Sequence, residues 1–139
     1  MLKVYKYQKL MDEKGVVKPC PFHDCKENQL PAYHFGFDPI GDNGNFVPGH
    51  KRNSRINSED DIRNCKYCGL SMYKTENSAK EQWSKLEPRV RRLLKYTHLL
   101  EGEIKREHGV MTIEKGQHFS FFEYAGVDLN KNFKLLSEL

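Results

Sequence analysis

The stretch Lys18-Pro19-Cys20-Pro21-Phe22-His23-Asp24-Cys25 (KPCPFHDC) places three side chains able to ligate a soft metal between positions 20 and 25. A second stretch, Cys65-Lys66-Tyr67-Cys68-Gly69 (CKYCG), adds two more after a spacer of 39 residues, 26 to 64. Structural zinc takes four ligands at tetrahedral corners, commonly as two close pairs from two turns. The two stretches together predict a zinc-ribbon β module. Gly69 suits the second turn, where backbone N–H groups face the thiolates and a side chain would crowd them. All four cysteines of the chain fall in these pairs, and with no secretory signal pattern they read as metal ligands rather than disulfides. The expected ligands are Cys20, Cys25, Cys65 and Cys68, which leaves no oxidisable thiol beside the metal. The alternative set has His23 in place of Cys25. Either set closes the coordination sphere, so the expected Zn2+ is structural.

Cys20-Pro21-Phe22-His23 resembles the first half of the zinc ribbon at the N-terminus of bacterial replicative primases, and Cys65, Cys68 and Gly69 resemble its second half. The resemblance implies ligation by Cys20, His23, Cys65 and Cys68. The chain differs in having Asp24-Cys25 after the histidine and a longer spacer before Cys65.

Outward from these pairs, 139 residues suffice for one domain or a small module with an appendage. Apolar residues are 37% and charged residues 30%, so the core is modest and a metal would reinforce it. The net charge of +4 permits a polyanionic partner without demanding one. The opening MLKVYKYQKL has a lysine at every third position and no apolar stretch, unlike a secretory signal. No apolar run approaches the roughly 18 residues of a membrane span. A soluble, cytoplasmic protein is expected.

Lys3 to Gln8 alternates in polarity and precedes Asp12-Glu13-Lys14-Gly15, which predicts a hairpin returning through Val16-Val17 to Cys20. Ala32 to Phe37 reads as a strand with Tyr33, Phe35 and Phe37 on one face. Residues 39–64 are rich in Gly, Asn, Ser and charge and predict a long polar loop, mobile or ordered by a partner. Cys65 to Lys74 is expected to form the second knuckle and a return strand. Ser78 and Glu81 have capping-box spacing, so a helix is predicted to start at Ser78 and to kink or restart near Pro88. From Arg89 to His108, Val90, Leu93, Leu94, Thr97, Leu100 and Ile104 keep a helical period, which predicts a long basic amphipathic helix stopped by Gly109. Val110–Glu114 and His118–Tyr124 flank Lys115-Gly116-Gln117 as a β-hairpin, and 129–139 reads as a short C-terminal helix. The fold class is therefore α+β, with a zinc-ribbon module over 1–76 and a helix–hairpin–helix extension over 77–139 packed as one unit with it.

Lys51, Arg52 and Arg55 form one basic cluster, and Arg89, Arg91, Arg92 and Lys95 a second. With Tyr33 and Phe35 as a stacking platform, these are the parts of a groove for RNA or single-stranded DNA. The expected function is non-catalytic binding of nucleic acid or of a nucleoprotein complex. A compact chain with no catalytic signature also suits a phage or mobile-element inhibitor or adaptor of a host nucleic-acid machine such as a CRISPR effector. An enzyme of the HNH-nuclease type is the third alternative. His50, Asn53 and Asn57 lie between the cysteine pairs, but Gly49 precedes His50 where that family expects Asp or His. No phosphate-loop, nucleophile-elbow or H-E-x-x-H pattern occurs, and no small-molecule substrate is implied.

Overall fold

The computed structural model describes residues 4–14, 19–53 and 60–139. The protein is α+β. Helices α1 (Gln8–Lys14), α2 (Gly49–Arg52), α3 (Asp61–Lys66), α4 (Glu76–Lys85) and α5 (Pro88–Leu94) accompany strands β1 (Leu30–Gly36), β2 (Leu70–Tyr73), β3 (His98–Ile104), β4 (Gly109–Met111), β5 (His118–Glu123) and β6 (Phe133–Glu138). The six strands form one antiparallel sheet in the order β4-β5-β2-β1-β3-β6. The two central strands, β1 and β2, are the first two in sequence and are flanked by the later β3 and β5. Among the described residues no helix is long and apolar enough to cross a membrane.

The pleat sends alternate residues to opposite faces. Leu70, Met72, Leu100, Ile104, Phe119 and Phe121 meet on one face, closed by Phe46, Leu129 and Phe133. Phe35, Tyr73 and Leu99 lie on the other, covered by Ala79 and Trp83 of α4 and by Tyr96. Farther along that face, Val110 and Phe122 pack on Met11, Cys65 and Cys68. A sheet covered on both sides needs no polar alternation, which is why His118-Phe119-Ser120-Phe121-Phe122-Glu123 is almost wholly buried.

Several expectations are corrected. The predicted long helix over 89–108 is helical only to Leu94. Lys95 closes it in the left-handed conformation (φ 63°) with its N–H on Arg91 C=O, and 98–104 runs as β3. Leu99 and Leu100 are both fully buried, one on each face, and that double burial imitated a helical stripe. The predicted C-terminal helix is a short 3-10 turn, Leu129–Lys131, followed by β6 on the edge beside β3. The predicted N-terminal hairpin does not form across 8–14, which is α1. Leu10 and Met11 turn inward together there, while Gln8 and Asp12 hydrogen-bond one turn apart. Its second limb, Val16–Lys18, lies outside the described residues. Helix α4 starts earlier than predicted. Thr75, not Ser78, is the N-cap, its hydroxyl accepting from Ser78 N–H, and Glu81 pairs with Lys85.

The described parts of the polar region, 39–53 and 60–64, are also more ordered than a loop. Asn45 organises its start, donating to the carbonyls of Phe37, Pro39 and Ile40 and accepting from Phe37 N–H. Helices α2 and α3 follow. Two expectations hold: Pro88 opens α5 at its first position, and β4 and β5 form the hairpin around Lys115-Gly116-Gln117.

Candidate functional site

Helix α3 brings the second cysteine pair to its place. Asp60 caps it, its carboxylate accepting from the N–H groups of Ile62 and Arg63. Beyond Cys65 the chain turns tightly, with Cys68 N–H on Cys65 C=O and Gly69 N–H on Lys66 C=O. It then enters β2. A β-carbon at Gly69 would sit 3.0 Å from the Phe122 ring and 3.1 Å from Phe121 C=O. Close packing against β5 therefore explains this glycine at least as well as crowding near a thiolate.

All four cysteines reach one apolar cluster with Met11, Val110, Phe122 and Tyr124. Within it Cys20 and Cys65 are joined as a disulfide, Cα atoms 5.8 Å apart, which links one member of each pair. Cys25 and Cys68 are free thiols. Burial pushes both thiols up to about 11, so each is a neutral S–H at pH 7. The Cys68 thiol lies 3.5 Å from Asn64 C=O and 3.8 Å from Leu10 C=O. His23 is exposed. With two sulfurs bonded to each other, no three His, Cys, Asp or Glu side chains among the described residues are arranged to hold a metal. The four sulfurs border one apolar cluster, and thiolate sulfur is a donor that zinc prefers.

The basic residues converge through an aromatic residue. Arg52, at the end of α2, stacks its guanidinium 4.2 Å from the ring centre of Tyr96, a cation–π geometry. Tyr96 directly follows Lys95 and α5, where Arg89, Arg92 and Lys95 are exposed and Arg91 is half-buried. Lys51 is exposed, with its ammonium 5.6 Å from the Tyr7 ring. Arg55 and Asn57 lie outside the described residues. The expected stacking platform is corrected: Phe35 is buried against Tyr73, Trp83 and Tyr96 at ring distances of 5.6, 5.2 and 5.9 Å. Its face of β1 is covered by α4, so only Tyr33 of that pair stays partly open. Leu93 stands 74% exposed amid the basic residues of α5.

The nuclease alternative loses its histidine. The His50 ring is packed edge-to-face on Tyr67 and its backbone N–H donates to Tyr67 C=O; at 1% exposure the side chain cannot meet a substrate. His34 is equally inaccessible. It stacks on Phe46 and donates from Nδ1 to Ser71 C=O at 2.7 Å.

Sequence reasoning passed over Tyr96, the residue that ties the two basic segments together, and its adjacency to Lys95 was the sole available signal. The fold and these sites define an α+β protein with one six-stranded antiparallel sheet. Comparison with family models, curated proteins and solved structures finds no match.

Proposed function

We propose that this protein binds a nucleic acid, or a nucleoprotein complex, through the basic surface formed by α2 and α5. The observation behind this reading is the Arg52–Tyr96 stack. It draws together cations separated by about forty positions of sequence, and convergent cations are what a phosphate backbone requires. Zn2+ on Cys20, Cys25, Cys65 and Cys68 belongs to the same reading as a structural staple of the reduced protein, fixing α3 against β4 and β5. The test is fluorescence anisotropy with labelled RNA and single-stranded DNA across a salt series. Replacing Arg89, Arg92 and Lys95 by alanine together should weaken binding and flatten the slope of log K against log salt by about 2, from about 0.7 per phosphate contact. An unchanged slope rejects the surface.

The exposed Leu93 favours a second reading, in which α5 docks on a protein and the chain acts as an inhibitor or adaptor of a nucleic-acid machine. Absence of nucleic-acid binding at low salt, together with nuclease-resistant co-purification of a protein complex that Leu93→Asp abolishes, would select it.

A further inference from the structure

Between the aromatic cluster under α4 and the cysteine cluster, Ser71, His118 and Glu114 form a relay. Ser71 Oγ lies 2.7 Å from His118 Nε2, and His118 Nδ1 lies 3.3 Å from Glu114 Oε1. Partial burial would raise the Glu114 carboxyl, but the Thr112 hydroxyl, His118 and Lys66 outweigh it and hold the group below its usual value. The Thr112 hydroxyl donates to Oε2 at 2.5 Å, and Lys66 Nζ stands 3.6 Å from Oε1. An ionised Glu114 favours the imidazole tautomer with its proton on Nδ1. The Nε2 lone pair then faces Ser71, whose hydroxyl donates to it.

The scaffold fixes each member. Leu70 and Met72 on either side of Ser71 are fully buried, so the pleat holds Ser71 outward, where it is exposed. Its carbonyl is anchored from the core by His34. Pairing of Tyr73 with His118 sets the register between β2 and β5, and the Tyr73 ring meets the imidazole edge-on at 5.3 Å. A surface pocket of about 240 Å³ opens beside His118, lined by Tyr73, Ser78, Glu81, Gln82, Lys85, Gln117 and His118.

We propose that Ser71 is a nucleophile, His118 its general base and Glu114 the positioning residue, in an acyl-transfer site whose pocket takes the acyl group of a small polar ester. Ser71 Oγ bonds to the ester carbonyl carbon while its proton passes to His118 Nε2. The carbon–oxygen bond to the leaving alcohol breaks, and that oxygen takes the proton from His118. Water then attacks the acyl carbon, giving its proton to His118. The bond to Ser71 Oγ breaks, Oγ recovers the proton, and a carboxylic acid leaves. The relay has the roles and order of known serine nucleophile sites, which recur on unrelated folds.

The test is labelling of the whole chain with a fluorophosphonate, which bonds to phosphorus through Oγ and expels fluoride, read site by site by mass spectrometry. Ser84, an exposed serine of α4 without a histidine partner, is the internal reference and needs no variant. Ser71 should be labelled about 10²-fold or more faster than Ser84, the usual contribution of a general base. His118→Ala should remove that advantage at an unchanged urea midpoint. Glu114→Gln, whose carbonyl still accepts from Nδ1–H, should keep more of the rate than Glu114→Leu. A small p-nitrophenyl ester should leave its acyl group on Ser71. Labelling of Ser71 no faster than Ser84, or undiminished by His118→Ala, overturns the proposal.

Discussion

Replacing Glu123 by glutamine should reshape how stability depends on pH. The Glu123 side chain is 0% exposed, with Oε2 3.1 Å from Lys6 Nζ and no hydrogen-bond partner for Oε1 among the described residues. Burial lifts its carboxyl from 4.5 to about 7 against the opposing pull of Lys6. At 1.36 kcal/mol per pH unit, that displacement corresponds to about 3 kcal/mol. Because the folded protein holds this proton more tightly than the unfolded chain, the stabilisation is complete below pH 4.5 and is lost as pH rises through about 7. Glutamine is neutral throughout. The stability of Glu123→Gln relative to wild type should therefore grow by about 3 kcal/mol between pH 4.5 and about pH 8. The pull of Lys6 on the ionised form is already contained in the value of about 7, and taking a difference between pH values cancels any pH-independent cost of the substitution. His34 acts in the opposite sense, since burial depresses its imidazole from 6.5 to about 4. Its contribution is complete above pH 6.5 and is lost as pH falls through about 4. Between 4.5 and 6.5 Glu123 and His34 oppose each other in the wild type; in the glutamine variant the slope is left to the imidazoles that burial depresses, His34 and His108. Urea unfolding across this range is the assay. Curves for variant and wild type parallel to within about 0.5 kcal/mol would refute the reasoning, because Glu123 would then carry its charge without cost.

The cysteine cluster and one sheet contact give two further tests. The Cys20–Cys65 disulfide spans 45 residues, so reducing it in metal-free protein should cost about 4 kcal/mol by loop-closure entropy, seen as a lower urea midpoint. Zinc added to the reduced protein should restore the midpoint, with metal lost in Cys25→Ser and retained in the exposed-site variant His23→Ala. Full zinc in Cys25→Ser with loss in His23→Ala would transfer the ligand role to His23. At Gly102, a β-carbon would lie 2.3 Å from Asn132 C=O and 2.5 Å from Phe133 Cγ. Since a backbone carbonyl cannot swing aside, Gly102→Ala should destabilise by about 1–3 kcal/mol through displacement of β6, and an unchanged midpoint would contradict the packing of β6 on β3.

Local signals survived where one element determines its own shape. The hairpin around Lys115-Gly116-Gln117 and the restart at Pro88 were legible because a turn or a proline acts within a few residues. The segment 98–104 was not, because its burial is set by neighbours. β3 lies between β1 and β6 with both faces covered, so Leu99 and Leu100 are apolar in succession and the period-two signature vanishes. Helix and doubly buried strand then compete on equal terms, and the stop that decides between them, the left-handed Lys95, has neither Gly nor Asn to announce it. The same non-locality governs the sites. The four cysteines could be gathered from spacing alone, yet which sulfurs bond depends on how α3 meets the turn at Phe22. Of the Ser71–His118–Glu114 relay, sequence shows only that Glu114 and His118 stand four apart in a predicted turn. Ser71 joins them through the pairing of β2 with β5, a contact across 47 positions that no local pattern encodes. A serine between two buried apolar residues reads as an ordinary outward strand position until the sheet supplies its partner. Chemistry assembled by strand pairing is therefore the part of this protein that a linear reading is least equipped to find.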